Sequence, residues 1–266
     1  MIKEEKDENY AFPWGFHIGD LLKGHDTIPL YTVSKDGGFC LLYDNVSEVK
    51  ADKLLESLCL ELLSTMPPES LRVDLFDFGK KKFYNLSPLQ YIQLYKTAYT
   101  PEMMLTLFEE LEETVISRHQ EFLCCNRPTI SEHNQKSKLK KMYHLVLINL
   151  ENFPTEEFDL RRIKNFVESA SQAGVYVIAF GNQEIEQSES KTTQALLEHF
   201  KKIRVTQGEF AITEEIFEFV ELLEDHRFES LDLDKGDLMQ KTLTNANLEG
   251  FMNPENIKLE ENTKVK

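Results

Sequence analysis

The residues that could do chemistry in this chain are few and scattered. Seven histidines, His17, His25, His119, His133, His144, His199 and His226, stand without i,i+4 pairing or a thiol at metal-ligand spacing, which argues against a zinc centre. Four cysteines, Cys40, Cys59, Cys124 and Cys125, form no C-x-x-C pair, so reduced, mostly buried thiols are expected. The pair Cys124-Cys125 beside Arg127 reads as packing at a helix end rather than as a reactive thiol. No G-x-S-x-G elbow is present to hold a nucleophilic serine. Lys50 opens a helical stripe, where its ammonium can either receive an anion or serve as surface charge. Two basic runs, Lys80, Lys81, Lys82 and Lys136, Lys138, Lys140, Lys141, are candidates for DNA contact or for solvated loops.

The overall charge opposes the DNA option. At −16 the chain gains nothing from releasing the counterions of a phosphate backbone. Residues 207–266 hold 15 acids and 6 bases, so the C-terminal part carries −9 of that charge. With 41% apolar residues, a chain of 266 residues can bury a substantial core. No apolar run approaches the roughly 18 residues of a bilayer span, and the start lacks the basic-then-apolar order of a signal peptide. A soluble cytoplasmic protein with no membrane contact is expected.

The elements that must position any site alternate between short β-rich runs and amphipathic helices, the pattern of a parallel sheet with helical crossovers. Strands are predicted over Thr27–Val33, Phe39–Tyr43 after the Gly37-Gly38 turn, Leu71–Phe76, Tyr143–Ile148, Val175–Phe180 and Ile203–Thr206. Helices are predicted over Lys50–Thr65, Pro101–Leu123, Thr155–Gln172, Thr192–Phe200 and Glu214–Leu223. Beyond Phe228 the periodicity fades, so one α/β domain over 1–228 and an acidic tail over 229–266 are expected.

In this order the elements resemble the FtsK/SpoIIIE DNA-translocase domain and its HerA-like relatives over about residues 12 to 206. Trp14-Gly15-Phe16-His17-Ile18-Gly19 with Ile28-Pro29-Leu30-Tyr31 is similar to the family's lead-in strand pair. Leu71 to Lys80 is similar to its second core strand, and Leu111 to Phe122 to its acidic helix. Tyr143 to Asn149 sits where the Walker B strand belongs, and Ala173 to Ala179 where the sensor strand begins. The resemblance implies a RecA-like P-loop core, a mainly parallel sheet flanked by helices.

It also implies a nucleotide site whose parts are missing. A phosphate loop reads G-x-x-x-x-G-K-[ST] because glycines let successive N–H groups fold around the phosphates. The corresponding stretch here is Asp44-Asn45-Val46-Ser47-Glu48-Val49-Lys50-Ala51, in which only Lys50 matches. Asp44 and Val49 replace the glycines, Ala51 replaces the magnesium-binding hydroxyl, and Asp44 and Glu48 would repel a triphosphate by about 4 kcal/mol for each close pair. Active relatives end the Walker B strand in Asp-Glu; here it ends in Asn149-Leu150-Glu151, with Glu151 expected to face away. Asn182 or Gln183 could stand at the sensor position.

The resemblance thus implies a vestigial nucleotide site at Lys50, Asn149 and Asn182, with no catalytic residue, no metal and no bound ATP or magnesium expected. The expected role is a structural or regulatory subunit in a bacterial complex, docked on an active ATPase or effector or on copies of itself. Two alternatives stay open: an ATP-driven DNA translocase with atypical loop chemistry, and a non-hydrolysing DNA-binding module using Lys80, Lys81, Lys82, Lys138, Lys140 and Lys141.

Overall fold

The computed structural model describes residues 10–78, 82–123, 127–153, 159–211, 213, 216, 220 and 225–245. Cys124, Cys125, Lys80 and Lys81, most of the helix expected over Glu214–Leu223, and the end of the chain from 246 lie outside the described residues.

Two strands, β1 (Gly15–Lys23) and β2 (Asp26–Val33), form an antiparallel hairpin ahead of the main sheet. The chain then runs through β3 (Gly38–Tyr43), α1 (Glu48–Thr65), β4 (Leu71–Phe76), β5 (Tyr95–Ala98), α2 (Pro101–Glu121) and α3 (Ile130–Lys136). It continues with β6 (Tyr143–Asn149), α4 (Leu160–Ala170), β7 (Val175–Asn182), α5 (Lys191–His199), β8 (Lys202–Thr206) and β9 (Glu209–Ala211). β10 (Arg227–Ser230) and α6 (Lys235–Asn245) follow.

The main sheet has seven strands in the order β5-β4-β6-β7-β3-β8-β9, all parallel except β9. Its central strands are apolar on both faces because both faces are covered. The strand period of two sorts β3 into Phe39, Leu41 and Tyr43 on one side and Cys40 and Leu42 on the other. The first set packs with α1, α6 and the β10-β1-β2 sheet; the second packs under α2, α4 and α5. Among the described residues no helix is long and apolar enough to cross a membrane.

Several helix boundaries follow from local chemistry. Thr100 caps α2 by accepting from the Met103 amide at 3.3 Å, with Pro101 in the first turn where its missing N–H costs nothing. α4 starts at Asp159, whose carboxylate accepts from the Arg161 amide at 2.7 Å.

The part of the expected tail that lies within the described residues belongs to the body. Across residues 227–245, β10 pairs with β1, and Leu231, Met239 and Leu243 are buried with α1 and the hairpin. The expected boundary at 228 falls inside β10. Local periodicity there is weak, and the apolar residues find their partners only on β1 and α1, far away in sequence.

His17 ties the hairpin to α1. Its Nδ1 lies 3.0 Å from Glu61 Oε1 and its ring stacks on Tyr31. The Glu61 hydrogen bond, opposed by burial and aided by the charges of Glu61 and Asp20, raises the His17 pKa above its ordinary value. A raised folded-state value gives stability that is complete below about pH 6.5 and lost as pH rises through the folded value. Buried His144 acts in the opposite sense: burial lowers its pKa, so its contribution is lost as pH falls below about 6.5. His17→Gln is therefore expected to remove the alkaline fall in melting temperature while leaving the acid fall. Melting curves from about pH 5 to 9 check this, and an unchanged alkaline limb would contradict it.

Candidate functional site

In the parallel sheet, chemistry is expected beyond the C-terminal ends of the strands, where the order reverses. The ends of β3, β7, β6 and β4 meet there, and they carry Tyr43, Asn182, Asn149 and Asp77 in adjacent positions.

These side chains form one hydrogen-bonded chain across the sheet edge. Asn149, fully buried, donates from Nδ2 to Asp77 Oδ1 at 2.8 Å and accepts the Glu151 amide at 3.1 Å. Glu151 Oε1 accepts the Tyr43 hydroxyl at 2.6 Å and the Asn182 amide at 3.0 Å. Asn182 donates from Nδ2 to Asn45 Oδ1 at 2.7 Å while its own Oδ1 accepts the Glu184 amide. The expectation that Glu151 faces away is thus overturned. β6 ends at Asn149, so alternation stops there, and the following turn brings the carboxylate back to the edge. Burial, then the Glu151 carboxylate, hold the Tyr43 phenol protonated far above its ordinary range.

The loop 44–47 between β3 and α1 is closed by contacts with the β8–β9 turn. Gln207 donates its amide to Asp44 Oδ2 at 2.7 Å, and Gly208 donates its amide to Ser47 Oγ at 2.9 Å. The Ser47 hydroxyl and the Gln207 amide hold the Asp44 carboxyl below its ordinary pKa. Lys50 reaches the same turn: its Nζ donates to the Gly208 carbonyl at 2.6 Å and lies 5.5 Å from the Phe210 ring centre. α1 has no side-chain cap, since Ser47, in the capping position, is turned to Gly208. The partial positive charge of its first turn is met by the chain's own Glu48.

A residue that sequence reasoning took for surface is the most enclosed cation here. Lys82, with its side chain 6% exposed, donates from Nζ to Glu48 Oε1 at 2.7 Å and to both oxygens of Asp52 at 2.9 and 2.8 Å. It sits 5.5 Å from the Tyr43 ring centre and 5.8 Å from that of Phe180. Its amide donates to Asp77 Oδ2 at 3.1 Å, which joins it to the Asn149 chain. The following residue, Phe83, adopts φ 57°, a left-handed conformation costing a bulky residue roughly 1 kcal/mol or more, and is held there by packing edge-on to Phe180. No local spacing announces this placement.

Lys82 is therefore removed from any DNA-facing patch. The second basic run lies at the opposite, N-terminal end of β6, about 20 Å away by strand length. There Lys140 donates to the Asn134 carbonyl and lies over the Tyr10 ring, Lys141 lies over the Phe122 ring, and Lys138 precedes β6 on the same segment. The candidate residues are likewise divided: Asn149 and Asn182 share the hydrogen-bonded chain, whereas Lys50 points to the β8–β9 turn.

This fold, a mostly parallel seven-stranded sheet flanked by helices, is shared with solved ATPase structures. It is similar to EssC (ATPases 2 and 3) from Geobacillus thermodenitrificans, at TM-score 0.64 and 14% identity, over 91% of this chain and 50% of that one. The cytoplasmic domain of EssC gives TM-score 0.61 at 14% identity over 91% and 51%. The pCW3 conjugation coupling protein TcpA, solved with ATPγS, gives 0.55 at 15% identity over 87% and 74%. The chain spans about half the length of the EssC structures it matches. No family profile and no curated protein sequence matches it.

Proposed function

We propose that this chain is a non-hydrolysing P-loop ATPase-fold protein that works in the cytoplasm as a structural or regulatory subunit of a larger assembly. The observation that carries the reading is the closed phosphate-loop position. The side chains of Asp44 and Ser47 and the Lys50 ammonium, which flank the place where a triphosphate would have to be wrapped, are bound to the β8–β9 turn through Gln207 and Gly208. A magnesium–nucleotide pair fits these residues poorly. Asn149 is committed to Asp77, the sensor amide of Asn182 to Asn45, and the nearby carboxylates Glu48 and Asp52 to Lys82.

The −16 charge and the separation of the basic runs favour a protein partner over DNA. The solved structures of similar fold include a type VII secretion ATPase and a conjugation coupling protein, which supports an assembly role without selecting the pathway.

The test is thermal stability in millimolar Mg-ATP. A nucleotide at about a hundred times its dissociation constant would stabilise the protein by about 2.7 kcal/mol. The expected result is no change in melting temperature, no ATP hydrolysis, and a loss of less than about 1 kcal/mol for Lys50→Ala, whose side chain makes a single hydrogen bond to a carbonyl. Stabilisation by Mg-ATP that Lys50→Ala abolishes would sink the reading.

A further inference from the structure

At the end of the sheet away from Asn149 and Asn182, the loop 137–141 ahead of β6 presents a fixed array of cations. Asn134 of α3, fully buried, holds it: Nδ2 donates to the Lys141 carbonyl at 2.8 Å and Oδ1 accepts the Lys141 amide at 2.7 Å. Buried His133 lies with Nε2 3.0 Å from the Leu139 carbonyl, and Ser137 Oγ accepts the Leu139 amide at 3.1 Å. Lys138 and Lys140 are exposed on this frame, with Leu139 exposed between them. Lys140 and Lys141 stand over the Tyr10 and Phe122 rings, 4.7 and 4.0 Å from their centres. Among the described residues no carboxylate pairs with Lys138, Lys140 or Lys141.

The chain enters the body at the same place. The Tyr143 hydroxyl donates to the Tyr10 carbonyl at 2.8 Å, the Phe12 amide donates to Ser131 Oγ at 3.2 Å, and the Phe12 ring stacks on Tyr176. Tyr10 is thereby fixed beside Lys140. The residues before it include Glu4, Glu5, Asp7 and Glu8, four carboxylates against the two ammonium groups of Lys3 and Lys6. Glu4 precedes Tyr10 by six residues, so even a fully extended chain puts no more than about 21 Å between Tyr10 and the farthest of the four.

We propose that the loop 137–141 is a binding surface for an acidic peptide segment, and that its resident occupant is the chain's own residues 4–8. An exposed ion pair is weak by itself. A tether this short supplies the acids at an effective concentration on the order of millimolar, so even a contact of millimolar strength is about half formed. The held loop adds to this, because cations already in place lose less freedom on docking. Occupied in this way, the loop is withheld from other polyanions until a more acidic segment of a partner displaces residues 4–8.

The test compares amide-shift NMR spectra of the full chain. Glu4→Gln, Glu5→Gln, Asp7→Asn and Glu8→Gln are introduced together; they precede Tyr10, so the packing of the body is left as it is. Expected are shifts of the 137–141 amides, in the direction that about 1 M NaCl produces in the unaltered chain, where the screening length falls to about 3 Å. The free peptide acetyl-Glu-Glu-Lys-Asp-Glu amide is expected to shift the same amides. It should bind the neutralised variant about threefold more tightly than the unaltered chain, in which the resident acids compete. Replacing Lys138→Gln and Lys141→Gln together should remove both effects.

Unmoved 137–141 amides on neutralisation, or shifts that persist with both lysines replaced, would overturn the proposal. Shifts that grow with protein concentration would reject it in favour of a second copy as the occupant. A short DNA duplex bound equally by the unaltered chain and by the neutralised variant would also defeat it, since a loop already occupied must bind polyanions less well.

Discussion

Gly38→Ala is expected to abolish folding at ordinary temperature. Gly38 opens β3 with φ +140°, and a methyl group on its Cα would stand 1.7 Å from the Val177 carbonyl oxygen, which is main chain. The strand cannot step back, because Gly38 is in register with Val177 and the Val177 amide donates to the Gly37 carbonyl at 2.8 Å. Relief of the clash requires parting β3 from β7 at the centre of the sheet. The cost should exceed about 4 kcal/mol, a large share of the 5–15 kcal/mol that holds a domain together. Gly24→Ala is the control: its φ is +61° but nothing lies within 4 Å, so only the conformational strain of about 1 kcal/mol applies. Urea unfolding of both variants measures the difference. A Gly38→Ala protein unfolding within 1 kcal/mol of the parent would show that β3 and β7 are not paired in this register.

Lys82→Ala is expected to lower stability by roughly 2–3 kcal/mol at pH 7. The substitution removes the ammonium from Glu48 and Asp52 and uncovers the Tyr43 and Phe180 rings. Solvent reaches the Glu48 and Asp52 side chains, 41% and 30% exposed, which keeps the loss below that of a fully enclosed pair. Lys82→Met should recover part of it by restoring the stem over the two rings. The pH dependence has a definite sign. The Asp52 pKa is already raised by burial, so the folded state favours the protonated carboxyl and the repulsion left by Lys82→Ala fades as pH falls toward about 4. Urea midpoints at neutral and mildly acidic pH test it; a deficit that grows on acidification would contradict the placement of Lys82.

What the sequence reveals and what it conceals divide along physical lines. Strands β3, β6 and β7 are legible because covering both faces of a parallel sheet demands continuous apolar runs, and Phe39–Tyr43, Tyr143–Ile148 and Val175–Phe180 supply them. α1 and α2 are legible from their apolar stripes and their stops. β10 and α6 are hidden, since Leu231, Met239 and Leu243 gain their burial from β1 and α1 rather than from local pattern. The i,i+4 pair Met239 and Leu243 is the one local hint. At the site, the elements are legible from their order: the stretch Asp44–Ala51 runs from β3 into α1, and β6 and β7 end at Asn149 and Asn182. The inward lysine is invisible, because a run of three lysines carries the pattern of a solvated loop. Only the long-range meeting with Tyr43, Phe180 and α1 encloses Lys82. Glu151 is misjudged for a related reason: the alternation rule holds along a strand, and this strand ends two residues earlier.

The closed loop at the head of α1 also bears on how the chain is made. Asn45 waits for Asn182, 137 residues later, and Asp44 for Gln207, 163 residues later. β3 has both of its sheet neighbours, β7 and β8, far later in the sequence. A ribosome therefore releases a fully apolar strand long before anything can pair with it, and loop closure over such spans is slow. A nascent chain that has not yet reached β7 is the form most in need of a chaperone, and the edge that carries Tyr43 can assemble only once β7 and β8 have been synthesised.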